Sequence, residues 1–111
     1  MRKFNRTKGD RKLFLKSVAH SLIEREHIET TLARAKEIRP MVERLLTIAL
    51  KGNVASLRLL LKELPRTSAL KLFRDIAPRY KERHGGSLRI TANAKTRKRD
   101  GAQTAVIEFV K

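Results

Sequence analysis

Residues 27–40 read HIETTLARAKEIRP, and the change of period inside that stretch limits what the rest of the chain can build. Ile28 and Thr30 alternate with Glu29 and Thr31, and the β-branched threonines suit a pleated strand. From Thr31 onward the repeat turns helical. Leu32, Ala35, Ile38 and Val42 share one face, while Arg34, Lys36, Glu37 and Arg39 fill the other positions. Thr31 is placed as an N-cap, its hydroxyl able to accept from an otherwise orphan backbone N–H. A strand that runs into a helix without a loop sets a sheet against a helical layer. The expected fold class is therefore α+β, with about four helices packed on a small sheet made of one short strand near residues 27–31 and a C-terminal β-hairpin.

The flanking segments fit that frame. A first helix is expected from about Arg11 to Glu26, with Phe14, Leu15, Val18, Leu22 and Ile23 as its apolar stripe and Asp10 as N-cap. The helix after Thr31 meets Pro40, but its pattern resumes at Val42, which predicts a kink and not a stop. Gly52 has the place of a C′ residue and Asn53 that of the N-cap of a third helix, Val54–Leu64. That helix is rich in leucine and is expected to touch the core over a wide arc. A fourth helix, capped by Thr67 or Ser68, is expected from Ala69 to about Arg83, distorted near its end by Pro78 and broken by Gly85-Gly86. Leu88, Ile90 and Ala92 alternate as a strand, Asn93–Gly101 forms a loop, and Gln103–Val110 reads as the returning strand. The chain shows no internal repeat or dividing linker. Residues 1–12 read as a basic N-terminal arm and 13–111 as a single domain.

Charge narrows the function. Lys and Arg number 27 against 11 Asp and Glu, a formal net charge of +16, and such an excess invites a polyanion. The longest uncharged apolar run, Leu45–Leu50, is far short of the roughly 20 residues that span a bilayer. A membrane partner is not expected. No apolar stretch after the basic N-terminus resembles a secretory signal, and the chain has no cysteine, so a cytoplasmic location needing no disulfide is expected. His20, His27 and His84 lie far apart, no HExxH, Walker or GxGxxG pattern occurs, and the serines lack triad partners. An enzyme, a metal site, a cofactor and a small-molecule substrate are accordingly not expected.

The basic residues fall into separated clusters. Arg2, Lys3, Arg6, Lys8, Arg11 and Lys12 make the arm, and Lys16 and His20 carry the same side of the first helix onward. Arg79, Arg83, His84 and Arg89 surround the double glycine, while Lys95, Arg97, Lys98 and Arg99 occupy the hairpin tip. Clusters this far apart suit a ligand that wraps, with phosphates displacing counterions at each contact. Phe4, Phe14, Phe73, Tyr80 and Phe109 are few and mostly sit in apolar stripes, which argues against a single-strand stacking platform. Val54–Leu64 and Ala69–Arg83 could form a DNA-binding helix pair, but the second begins TSALKLF, with little to read base edges. Phosphate-and-shape recognition of folded RNA fits better.

Three stretches carry a family resemblance: SLIEREHIETTLARAKEIRPMVERLLTIALKG (Ser21–Gly52), ALKLFRDIAPRYKERHGGSLRI (Ala69–Ile90) and AVIEFV (Ala105–Val110). In these the chain resembles the bacterial large-subunit ribosomal protein L17 family. The resemblance implies a structural component of the 50S subunit that binds 23S rRNA, lies near ribosomal protein L32, and joins an α/β domain to a basic N-terminal extension. Thr30, Thr31, Lys36, Arg39, Arg79, Tyr80, Arg83, Gly85, Gly86 and Arg89 match the family pattern. Thr31 and the glycines are expected to hold the fold, and the lysines and arginines, Lys36 and Arg39 among them, to meet phosphate. Two departures stand out: DRKLF before the first helix, and Ser87-Leu88 where the family usually has a tyrosine after the double glycine.

Overall fold

The strand-to-helix junction forms where the period changes. In the computed structural model, which describes residues 8–81, 87–96 and 101–110, strand β1 (His27–Thr31) passes directly into helix α2 (Leu32–Leu50). The Thr31 hydroxyl accepts from the Arg34 N–H at 3.3 Å, the expected cap. Helix α2 runs through Pro40 as one element and buries Ala35, Ile38, Val42, Leu45, Leu46 and Ala49. Leu32, at its first turn, is half-buried against the same core.

The first helix, α1 (Lys8–Arg25), starts earlier than expected, and Asp10 lies inside its first turn, not at the cap. Leu15, Ala19, Leu22 and Ile23 are buried. Phe14 packs more loosely, with the Arg34 guanidinium 4.8 Å from its ring centroid. Glu26 ends the helix at a φ of 66°, a conformation that L-residues other than Gly, Asn and Asp seldom adopt.

Helix α3 (Val54–Glu63) opens with a capping box: Asn53 Oδ1 accepts from the Ser56 N–H at 2.8 Å, and the Ser56 hydroxyl accepts from the Asn53 N–H at 3.2 Å. Its contact with the core is narrow, not wide. Ser56 and Leu60 are buried, whereas Val54, Leu59 and Leu61 stay exposed.

The expected fourth helix is broken up. Helix α4 (Arg66–Lys71) starts at Arg66, next to Pro65 and without a side-chain cap from Thr67 or Ser68. A π turn, Leu72–Ile76, and a 3-10 turn, Ala77–Tyr80, follow it. Pro78 supplies the reason. It has no N–H to give the carbonyl four residues back and its ring would strike that carbonyl. The chain widens first, the Ala77 N–H reaching the Leu72 carbonyl, and then tightens. Tyr80 anchors the end of this segment, its hydroxyl donating to the Val110 carbonyl and its ring lying 6.3 Å from that of Phe109.

Strands β2 (Leu88–Thr96) and β3 (Gln103–Phe109) form the hairpin, and the sheet is antiparallel in the order β1-β3-β2. Strand β2 runs past Ala92, through an irregularity, to pair Thr96 with Gln103, so residues 93–96 extend the strand that was expected to end before them. Ile28, Ile107 and Ile90 align in one row and point to the helices. His27, Glu108 and Arg89 form a row on the opposite face. Helix α2 packs against all three strands and α1 against β1, while α3 packs on α2 and α4 on α1.

Candidate nucleic-acid interface

Charge becomes a site only when an element holds it at the surface and no protein carboxylate occupies it. On α1, Lys12 is exposed. Lys16 is half-buried, with its Nζ 3.7 Å from a Glu63 carboxylate oxygen. Eight residues later on the same flank, Glu24 gives its carbonyl to the Lys71 ammonium at 2.6 Å. His20 lies between these two ties, half-buried, and among the described residues its Nδ1 has no hydrogen-bond partner. Lys16 and His20 thus face the α3–α4 side of the protein as much as the solvent.

On α2, Lys36 is exposed, whereas the Arg39 guanidinium bonds Glu43 at 3.2 Å, one turn on. Arg79 is tied most firmly. Its guanidinium donates to the Glu26 carboxylate, which also lies 3.6 Å from the Lys71 Nζ. The bond from Arg79 holds the Glu26 carboxyl below its ordinary range, helped by the charges of Arg79 and Lys71 and opposed by partial burial; the same bond raises the Arg79 pKa. Arg89 spans the outer sheet face, with its Nε 3.1 Å from a Glu108 carboxylate oxygen. Lys16, Arg39, Arg79 and Arg89 each have protein partners that a phosphate must share or displace.

Lys8 and Arg11 lie on α1, and Lys95 lies on β2 within the irregular stretch between Ala92 and Thr96. Arg2, Lys3, Arg6, Arg83, His84, Arg97, Lys98 and Arg99, with the double glycine, are outside the described residues.

Another basic surface was not singled out from the sequence. Lys51, Arg58, Lys62 and Arg66 are all exposed along α3 and the turns that flank it. The acid nearby, Glu63, is turned to Lys16. A local charge count over residues 51–66, five residues of which are charged and only one acidic, is the signal that would have found it. The DNA-reading helix pair does not form, because α4 has six residues before the π turn and offers no recognition helix of useful length. Among the described residues, no His, Cys, Asp and Glu cluster could hold a metal, and no helix is long and apolar enough to cross a membrane.

The family model described as "Ribosomal protein L17" matches residues 14–110. A "Large ribosomal subunit protein bL17" of Persephonella marina is 48% identical over 109 residues, covering 96% of this chain and 88% of that protein. Its namesake in Staphylococcus carnosus is 44% identical over 120 residues, covering 98% of each. The one from Orientia tsutsugamushi (strain Boryong) is 47% identical over 110 residues, covering 98% of this chain and 75% of its own length.

Proposed function

The chain belongs to the ribosomal protein L17 family, and from that premise we propose that it binds 23S rRNA as a built-in component of the bacterial 50S subunit, in the cytoplasm. Its role in the ribosome is structural, not catalytic. The observation that carries the reading is the family match across residues 14–110, nearly the whole chain.

The helical layer and sheet act as a rigid mount. Residues 1–12, the segment around Arg83 and His84, and the tip at Arg97–Arg99 supply cations that replace counterions along neighbouring RNA helices. Lys36 and the α3 surface at Arg58 and Lys62 add contacts from the mount. Ribosomal protein L32 is the expected protein neighbour.

Sedimentation of a lysate through sucrose, with the protein probed across low and high salt, tests the reading. Co-migration with the large subunit that survives a salt wash is expected. Protein at the top of the gradient at every salt concentration would overturn it, as would association that ribonuclease leaves intact.

A further inference from the structure

Strand β1 lies at an edge of the sheet. The Phe109 N–H donates to the Glu26 carbonyl at 3.0 Å, which sets the phase of the ladder. Ile28 opposite Ile107 and Thr30 opposite Ala105 then direct their main-chain groups to β3, while those of His27 and Glu29 point away from the sheet. Among the described residues, no backbone group of another element bonds to them. Helix α1 runs alongside, and between them lies a trough of about 560 Å³, with Ser17, Ser21 and Arg25 on the helix wall and His27, Glu29 and Thr30 on the strand wall.

We propose that this trough receives an extended segment of a neighbouring protein, which adds to β1 as a fourth strand. Only another main chain repeats N–H and C=O at the spacing that His27 and Glu29 present, and the side chains that line the two walls then supply selectivity. Charge decides between peptide and RNA. Glu29 is exposed and forms no ion pair among the described residues. Its carboxylate repels a phosphate strand laid on this edge and attracts a lysine or arginine of a peptide. Arg25, across the trough, suits an acidic or hydroxyl side chain on the same segment. A second copy of this chain is disfavoured, because two β1 edges paired about Glu29 set like charges opposite each other. The partner segment is therefore β-prone and carries a cation facing Glu29. The inference rests on the ribosomal reading, since the particle brings the partner within reach.

The test uses salt-washed large subunits carrying the full chain, with a benzophenone-bearing residue in place of His27. After irradiation, the cross-linked product is mapped by mass spectrometry. The expected product joins position 27 to one extended segment of one other protein, with a Lys or Arg in it. Glu29→Pro removes the outward N–H while leaving the Ile28 and Thr30 bonds to β3, and an edge strand tolerates proline there. It should lower the cross-link yield roughly tenfold while co-sedimentation persists, a factor equal to about 1.4 kcal/mol of binding. Glu29→Lys, which keeps the backbone, should lower it likewise and decides the matter if the proline variant does not fold. Cross-linking to rRNA or within the chain, no cross-link, or a protein cross-link that the position-29 variants leave unchanged would each overturn the proposal. Absence of the chain from the particle would defeat the ribosomal reading, and this inference with it.

Discussion

Glu26 joins three parts of the molecule at a single position. Its left-handed backbone ends α1, its carbonyl accepts from β3, and its carboxylate meets Arg79 and Lys71. Because the folded-state pKa is lowered, the stability it contributes is present above the unfolded-state value, near about 4.3, and is lost as pH falls through the lower folded-state value. Glu26→Gln should therefore lower the melting temperature at pH 7 and make little difference well below pH ~4. Thermal denaturation of both proteins across that range checks it. The pair is partly exposed, so the loss at neutral pH should be about 1 kcal/mol or less. Glu26→Gly, by contrast, loses the same ion pairs but relieves the left-handed backbone, and should be more stable than Glu26→Gln by roughly 0.5–1 kcal/mol. Nothing in the one-dimensional pattern marks Glu26, since both its partners lie some fifty residues away on the far side of α3.

At the scale of elements, α3 separates what periodicity shows from what it hides. The Asn53 cap is legible from residue type and spacing, because only a short polar side chain can reach back to a free helical N–H. Asn53→Ala should cost about 1 kcal/mol in chemical denaturation. Which leucines are inside is not legible in the same way, because leucine occupies nearly every direction around this helix. The structure buries Leu60 at 0% exposure and leaves Leu61 at 42%. Leu60→Ala should cost roughly 2–5 kcal/mol, whereas Leu61→Ala should stay within about 0.5 kcal/mol. Equal costs would mean that α3 packs on a different face. The segment after Lys71 gives the same lesson from the other side. Pro78 warns of distortion, but the site of its accommodation, a π turn upstream, depends on Tyr80 and Ile76 being held in the core.

For the whole molecule, the net charge of +16 and the small core divide the labour between binding and folding. Replacing Arg97, Lys98 and Arg99 together by alanine should weaken RNA binding and flatten its salt dependence, each lost phosphate contact reducing the slope of log K against log salt by roughly 0.7–0.9. Filter binding across a salt series measures the slope, and the melting temperature of the variant should stay near that of the parent. A variant that unfolds would make the tip part of the fold instead.

The sequence by itself determined the junction at Thr31, the caps at Thr31 and Asn53, the α+β class, and the excess of cations that points toward a polyanion. Each of these rests on local spacing or on a sum over composition, and neither needs a partner distant in the chain. Tertiary structure alone decided the order of the strands, the face of α3 that is buried, and the pairing of Arg79 with Glu26, of Arg89 with Glu108 and of Lys16 with Glu63. A cation's availability depends on which carboxylate the fold brings within about 4 Å, and residues far apart in sequence meet only once the helices and sheet have packed. The open edge of β1 is of the same kind: His27 and Glu29 are unremarkable as letters, and they become a pairing surface because β3 takes the other side of their strand.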